Sequence, residues 1–147
     1  MKVQSPTSGK VLTIGDSKVV IKVSSGQTEA GYELILNNLP AGFGPPAHVH
    51  RRMQQVFYVL EGHVSFQLGG DWFEAGRGEV VIVPPGIAHT FANRTQQAAQ
   101  MLQIDSGGAL EPMFEDLARA FPAGSQPDPK RLGEIMAAHD HLPPKER

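Results

Sequence analysis

The sequence predicts an all-β fold, a single small barrel followed by a short helical tail. Between Val11 and about Asp105, short apolar or alternating runs rich in Val, Ile, Phe and Tyr are separated by Gly, Pro, Asn and Asp. Such runs are typical of half-buried strands joined by turns. After residues 106–108 (Ser-Gly-Gly) the apolar spacing changes to that of helices. Many short strands with regular turns indicate a sandwich or small barrel.

Each predicted strand is an apolar or alternating run that ends at a turn signal, such as the Gly-Gly-Asp of residues 69–71 or the Pro-Pro-Gly of residues 84–86. The predicted strands are Val11–Ile14, Lys18–Val23, Tyr32–Leu39, Gln55–Leu60, Val64–Leu68, Trp72–Glu74, Val80–Val83, His89–Ala92 and Ala98–Ile104. The sequence contains no internal repeat, so the prediction is one barrel copy.

Two helices are predicted in the tail. The first has Pro112 in its first turn and ends before Pro122. The second begins with Asp128 as N-cap followed by Pro129. The predicted organisation is a barrel over residues 1–108 and a helical tail over residues 109–147 that packs on it, one domain overall.

Composition excludes several classes of protein. The 147 residues are 40% hydrophobic and 19% charged, as in a globular chain. Thirteen basic and fifteen acidic residues give a net charge of −2 with no basic patch, which argues against a nucleic-acid partner. The chain has no cysteine, so a metal ion must be held by nitrogen and oxygen. Neither a signal-peptide run nor a membrane-length apolar stretch is present, and the prediction is a cytoplasmic protein.

Two short segments carry the functional information. In the first, His48 and His50 lie two residues apart and Gln55 follows. On extended backbone, side chains two residues apart point to the same face, about 6.5 to 7 Å apart at the backbone. The second segment leads through Gly86 to His89 on a different strand. Three imidazoles and an amide at these positions suit a metal site in which a carboxylate would be the ordinary fourth ligand.

The two segments resemble the paired signature motifs of the cupin superfamily. The resemblance lies in Gln55–Gly62 (QVFYVLEG) and Pro84–Asn93 (PPGIAHTFAN), and it extends from about Tyr32 to Ile104. It implies a double-stranded β-helix, or jelly-roll, barrel. Together with the helical tail, the chain resembles single-domain cupins similar to quercetin dioxygenases. The resemblance is specific for fold and weak for reaction, since one fold serves many functions.

In such cupins two first-motif histidines, a glutamate and a second-motif histidine bind a divalent metal. Carried over, the ligands are His48, His50, Gln55 and His89, with Gln55 where glutamate is expected. The ion is nickel, iron, manganese, zinc or copper, since spacing does not choose among them. For Gln55 two roles stay open, direct ligation and a hydrogen bond to metal-bound water. An amide has no proton chemistry near pH 7, so no catalytic base is assigned.

Six residues are predicted to line a substrate pocket, either on the faces of the ligand residues or in the segment beside them: Phe43, Met53, Phe57, Val59, Phe66 and Phe91. For each of them ordinary barrel core is the alternative. His63, His139 and His141 are not predicted as ligands. The last two lie near a helix end, where a protonated imidazole suits the helix dipole.

Three functions follow from these features. The first is a metal-dependent enzyme acting on a small anionic or enolisable organic substrate with quercetin-dioxygenase-like oxygenase chemistry. The second is a non-oxidative isomerase, cyclase or lyase that uses an ion-stabilised enolate. The third is a metal-poor cupin that binds or senses a small molecule. The resemblance also implies a homodimer, with N-terminal strands or a sheet edge completing the partner's barrel.

Overall fold

The computed structural model describes residues 3–145, so the first two and last two residues of the predicted barrel and tail lie outside the described part. Nine strands and two α-helices form it, with a 3-10 turn at Ser25–Gln27. The strands are β1 (Lys10–Ile14), β2 (Ser17–Val23), β3 (Glu33–Leu39), β4 (Gln54–Glu61), β5 (His63–Leu68), β6 (Asp71–Gly76), β7 (Val80–Val83), β8 (His89–Ala92) and β9 (Ala99–Ser106). The helices are α1 (Glu111–Ala120) and α2 (Pro129–Ala138).

The strands form two antiparallel sheets. The larger has the order β1-β2-β3-β9-β4-β7 and the smaller the order β6-β5-β8. One hydrophobic core joins their inner faces, and its aromatic centre is Phe57 of β4, Phe66 of β5 and Phe91 of β8, with ring centroids 5.5 to 6.2 Å apart. The mostly β fold with two C-terminal helices is the one predicted, and each predicted strand is present with its ends moved by two residues or fewer.

The two helices pack against the β1–β3 end of the larger sheet through a second core. Met113 and Leu117 of α1 and Met136 of α2 lie in it beside Val19 of β2. A buried carboxylate fixes the start of α1: Glu33 of β3 accepts hydrogen bonds from the backbone N–H groups of residues 110 and 111, at 2.7 and 3.0 Å. It thereby supplies the cap that Leu110 lacks. Burial raises the pKa of Glu33 above its ordinary value, and the two N–H groups oppose that rise.

Two rows of apolar side chains cross the outer face of the larger sheet. Strand register places the members of each row opposite one another, because outward residues alternate with the buried ones. The first row is Val11, Val20, Leu36, Leu102, Tyr58 and Val80, and the second is Leu34, Ile104, Val56 and Ile82. Ile82 is 57% exposed and Val80 51%. These two apolar rows have no covering element among the described residues.

The segment that carries the first two histidines is extended but belongs to neither sheet. His48 forms an isolated bridge with His89, and Val49 forms one with Leu142 of the C-terminal segment. The backbone N–H groups of His48 and His89 each donate to the other's carbonyl at 2.9 Å. The segment is therefore fixed on one side by β8 and on the other by the chain beyond α2. Among the described residues, neither helix is long and apolar enough to cross a membrane.

Candidate metal centre

Three buried imidazoles converge at one end of the barrel. His48, His50 and His89 are each 2 or 3% exposed, and one nitrogen of each lies within 4.8 Å of the other two. Their ring centroids are 4.4 to 5.4 Å apart. The structure thus brings together the three histidines that the sequence predicted. We call them the three-histidine cluster.

Backbone carbonyls fix the orientation of all three rings. The Nδ1 atoms of His48, His50 and His89 lie 2.8, 3.1 and 2.8 Å from the carbonyl oxygens of Pro46, Asp140 and Ile87, respectively. A carbonyl oxygen only accepts, so each Nδ1 carries the proton and donates it. Each Nε2 is then left with a lone pair. A backbone carbonyl that accepts from the far nitrogen is a common support for a metal-binding histidine.

The cluster is neutral near pH 7. Burial and the neighbouring His89 lower the pKa of His48 to about 3 and that of His50 to about 4. Burial likewise lowers the pKa of His89. Neutral imidazoles keep the lone pairs that a metal ion needs. His50 Nε2 is buried and has no hydrogen-bond partner among residues 3–145. Because buried polar atoms normally have a partner, its lone pair is available to a ligand.

Gln55 of β4 directs its carbonyl oxygen into the cluster. Its Oε1 lies 2.8 Å from His89 Nε2, and its Nε2 donates to Asp105 Oδ1 at 3.0 Å. Because the Asp105 carboxylate takes the amide N–H, the amide oxygen is the atom left to face the histidines. Two lone-pair atoms at 2.8 Å repel each other unless a cation or a proton lies between them. Adjacent ligand atoms on one ion are about 3 Å apart at the usual bond lengths of about 2.1 Å.

A buried polar network supports Gln55 from behind. Asp105 lies opposite Gln55 in the β4–β9 register and accepts from Gln103 Nε2 at 3.0 and 2.8 Å as well. Gln103 Oε1 in turn accepts from Asn37 Nδ2 of β3 at 3.0 Å. Burial raises the pKa of Asp105 to about 7, while the amides of Gln55 and Gln103 oppose the rise. Position 55 thus carries no carboxylate, but the Asp105 carboxylate lies directly behind Gln55, one side chain further from the cluster.

Sequence reasoning missed this network, although a signal was present. Asn37, Gln103 and Asp105 occupy inward positions of strands whose remaining inward residues, apart from Glu33, are apolar, such as Ile35 and Met101. A polar residue at a core position needs a partner. Three of them on neighbouring strands therefore marked a buried hydrogen-bonded group.

His141 is a fourth imidazole at the site, and the expectation of a protonated imidazole near a helix end is wrong for it. The ring is 6% exposed and stacks on His48 with centroids 3.9 Å apart, while its edge meets His50 at 4.1 Å. Burial and the positive charge that the neighbouring histidines would carry lower its pKa well below the ordinary value. His139 instead bonds Asp116 at 2.7 Å, outside the cluster.

A cavity of about 430 Å³ opens beside the cluster. Its polar wall includes His48, Gln55 and His141. Its apolar wall combines barrel residues with residues of both helices, such as Phe43, Phe91, Leu110, Met113 and Leu132. The volume and the mixture of an apolar lining with a few convergent polar groups are typical of a site for a small organic molecule.

The predicted substrate-pocket residues fall into two groups. Phe43 and Phe91 line the cavity. Phe57, Val59 and Phe66 are at most 1% exposed and lie in the barrel core, below the cavity lining. Met53 is 5% exposed and belongs to the core beneath the helices. A substrate contact by any of the six stays a prediction.

A family model for the cupin domain matches residues 36–105, which include the three-histidine cluster, Gln55 and Asp105. Residues 36–105 are a cupin domain. A segment of 55 residues, 37% of the chain, is 29% identical to an uncharacterized protein of Methanocaldococcus jannaschii. It covers 44% of that protein, so the match to this curated relative spans less than half of the relative's length.

Solved structures, two of which are described as cupins, share the fold at low identity. The polyketide cyclase RemF of Streptomyces resistomycificus superposes with a TM-score of 0.63 and 22% identity, over 74% of this chain and 81% of that one. A Cupin 2 conserved barrel domain protein of Salinispora arenicola gives 0.60 and 17%, over 82% and 98%. A sugar phosphate isomerase of Silicibacter pomeroyi, also a cupin, gives 0.56 and 20%, over 61% and 59%.

The donor set fits a divalent metal ion. Three neutral imidazoles with oriented lone pairs surround a point that the Gln55 oxygen also faces, and the lone pair of His50 Nε2 is buried without a hydrogen-bond partner among residues 3–145. Nitrogen and oxygen donors of this kind suit nickel, iron, manganese, zinc and copper. The three buried histidines of this cupin domain could therefore bind a metal ion, whose identity the donor set leaves open.

Proposed function

We propose that this cupin is a metal-dependent enzyme that acts on a small anionic or enolisable organic substrate, with quercetin-dioxygenase-like oxygenase chemistry as the first candidate reaction. The observation that carries the proposal is the convergence of three neutral Nε2 lone pairs on a point beside an apolar cavity. His48, His50 and His89 would hold the ion, and the Gln55 oxygen would be a fourth donor or would bind water on the ion.

The neutral charge of the donor set selects the substrate class. A bound ion supplies Lewis-acid stabilisation of a negatively charged oxygen and acidifies bound water. Because no carboxylate ligand offsets its charge, an anionic oxygen ligand such as an enolate or a carboxylate is favoured at this site. The apolar wall, with Phe43 and Phe91, would bind the organic part and keep water away from it.

No residue of this chain is assigned as the catalytic base. Asp105 is the nearest buried carboxyl group, but it lies behind Gln55 and is not among the residues that line the cavity. Its role in the proposal is to hold the Gln55 amide in the orientation that presents Oε1 to the cluster.

Metal content tests the proposal against the metal-poor alternative. After metal-replete expression, elemental analysis should find about one equivalent of a first-row divalent metal in the wild type and very little in His50→Ala. His63→Ala, at an exposed position at the start of β5, is the matched control and should keep the metal. Less than about a tenth of an equivalent in the wild type would rule out the metal-dependent reaction and leave a binding or sensing cupin.

A non-oxidative isomerase, cyclase or lyase reaction is the second candidate. It is favoured by the fold-level similarity to proteins described as a polyketide cyclase and a sugar phosphate isomerase. Oxygen uptake distinguishes the two. A panel of enolisable phenols and diketones should consume oxygen stoichiometrically under the first candidate. Substrate turnover without oxygen uptake would establish the second and refute the first.

We also propose that a second copy of the chain covers the two apolar rows, giving a homodimer. Strands lie about 4.8 Å apart, so the first row, which crosses six strands, is about 24 Å long, and the second, which crosses four, is about 14 Å long. A stable interface has an apolar centre with a polar rim and covers about 800 Å² per partner. A flat apolar face can pack on its own copy about a two-fold axis, the commonest symmetry of oligomers.

Light scattering after size exclusion tests the dimer. The wild type should elute as a dimer and Ile82→Lys as a monomer, because the substitution places a charge at the exposed β7 end of the second apolar row. Phe73→Lys is the control, since Phe73 is 41% exposed on the smaller sheet and should leave the dimer intact. A wild type that is monomeric at concentrations well above 10 μM would overturn this part of the proposal.

A further inference from the structure

His141 reaches the site through a segment that is fixed at several points. After α2, its backbone N–H donates to the Met136 carbonyl at 3.0 Å. The next residue, Leu142, exchanges two backbone hydrogen bonds with Val49, at 2.8 and 3.1 Å. The preceding residue, Asp140, accepts from the backbone N–H of Arg51 at 3.1 Å and from its Nε at 2.6 Å. The ring position is thus set by backbone bonds on both sides.

The ring itself has no hydrogen-bond partner among residues 3–145. Its Nδ1 is buried without a hydrogen-bond partner among residues 3–145, and no side-chain hydrogen bond of His141 is present in that range. A neutral imidazole has one N–H donor and one acceptor. Leaving a buried polar atom unpaired costs about 1 to 3 kcal/mol. The other ring nitrogen, Nε2, also has no hydrogen bond among residues 3–145 but is not fully buried, so it is the nitrogen that a ligand in the cavity can reach.

The geometry separates His141 from the metal ligands. The group of nitrogen atoms that lie within 4.8 Å of one another consists of His48, His50 and His89 only. His141 stacks on His48 with an interplanar angle of 28°, whereas His50 and His89 meet His48 edge-on at 74° and 61°. His141 also lines the cavity wall. It therefore lies beside the cluster on the cavity side.

From this arrangement we propose that His141 is a ligand-contacting residue, which donates a hydrogen bond from its imidazole to an oxygen of the anionic molecule bound at the three-histidine cluster. This inference rests on the proposed metal-dependent function. It assigns to the C-terminal segment, outside the matched cupin domain, one polar contact of the substrate site. The ligand class is an oxygen anion such as a carboxylate, an enolate or a hydroxamate.

Titration of the cobalt-loaded protein with acetohydroxamate at pH 8 tests the inference by d–d absorption. We compare the wild type with His141→Phe, which keeps a ring on His48 but removes both nitrogens. The expected result is a cobalt Kd within about threefold of wild type and an acetohydroxamate Kd raised about tenfold or more, the size of effect that one lost hydrogen bond gives. His63→Phe is the matched control and should change neither constant.

A second variant keeps the test decisive. His141→Gln retains an N–H donor and should recover most of the acetohydroxamate affinity. An unchanged acetohydroxamate Kd in His141→Phe, or equal losses in the Phe and Gln variants, would overturn the inference. A loss of cobalt affinity in His141→Phe comparable to that of His50→Ala would also overturn it, because His141 would then be a metal ligand. Failure of the wild type to bind cobalt would instead refute the proposed function.

Discussion

Gln55→Glu changes the pairing of donors and acceptors behind the three-histidine cluster. In the wild type, Gln55 Nε2 donates to Asp105 at 3.0 Å. In the variant, two buried carboxyl groups meet at that distance, so at pH 8 they either repel each other as carboxylates or must take up a proton from solvent. We expect the metal-free variant to lose the hydrogen bond to a charged acceptor, worth about 1.5 to 3 kcal/mol, and to gain like-charge repulsion. The free energy of unfolding should fall by about 2 to 4 kcal/mol.

Asp105→Asn alone should cost about 1 to 2 kcal/mol, because its new amide group faces the donating amide of Gln103. In the double variant the donor and acceptor exchange places. The amide introduced at position 105 would then donate to the carboxylate introduced at position 55, while the amide oxygen accepts from Gln103. The double variant should therefore be more stable than the sum of the single effects predicts, by about 2 kcal/mol, as expected for residues in direct contact.

Urea unfolding in EDTA at pH 8 measures all four proteins of this cycle. Gln54→Glu is the matched control, since it makes the same chemical change at the neighbouring exposed position and should alter stability by less than about 0.5 kcal/mol. The reasoning is refuted if Gln55→Glu is no worse than this control, or if the two single effects simply add in the double variant.

Three further predictions concern stability of the metal-free protein. Glu33→Leu leaves two buried N–H groups at the start of α1 without an acceptor and should cost about 2 to 4 kcal/mol in urea unfolding, with Glu33→Gln recovering part of it. Below pH 6.5 the unfolded chain binds up to four protons on the three-histidine cluster and His141, whose folded pKa values are depressed, while Asp105 and Glu33, whose folded pKa values are raised, give up as many as two. Stability should therefore fall by about 2 to 3 kcal/mol per unit as pH drops from 6 to 5, and a flat or rising profile would contradict this. Gly62→Ala should lower Tm more than Gly86→Ala. Both glycines have positive φ (74° and 81°), but of the two only Gly62 would place a Cβ within 3.1 Å of other atoms. Equal losses of Tm would argue against this close approach.

Local sequence patterns predicted the fold because strands such as β3, β4, β7 and β9 alternate with period two and the turns between strands carry their own signals. Val80–Val83 and His89–Ala92 were predicted with the ends that the structure has. The second helix was predicted from its cap, and Asp128 accepts from the N–H of Arg131 at 2.8 Å. These features depend on near neighbours in the chain, which a sequence displays directly.

The site was predicted only as far as the motif spacing reaches. His48, His50 and His89 meet as predicted, but His141 depends on a bridge between Val49 and Leu142, residues 93 positions apart with no local signal of their contact. The sole hint is that His139–His141 repeats the two-residue histidine spacing of the first motif. Long-range backbone pairing of this kind is set by the assembled tertiary structure, and so periodicity could not reveal it.

Asp140 combines backbone strain at the end of α2 with a side-chain contact to the segment beside the histidines. It follows the C-cap of α2 with φ at +61°, in the left-handed region that glycine adopts most easily. A glycine there would end the helix with less strain, but it would remove the carboxylate that holds Arg51. The helix terminus is thus less favourable with Asp140 than with glycine, but the Asp140 carboxylate holds the segment around Arg51 beside the histidines. Asp140→Gly would therefore relieve strain at the end of α2 but should make the segment that carries His141 less firmly held against the cavity.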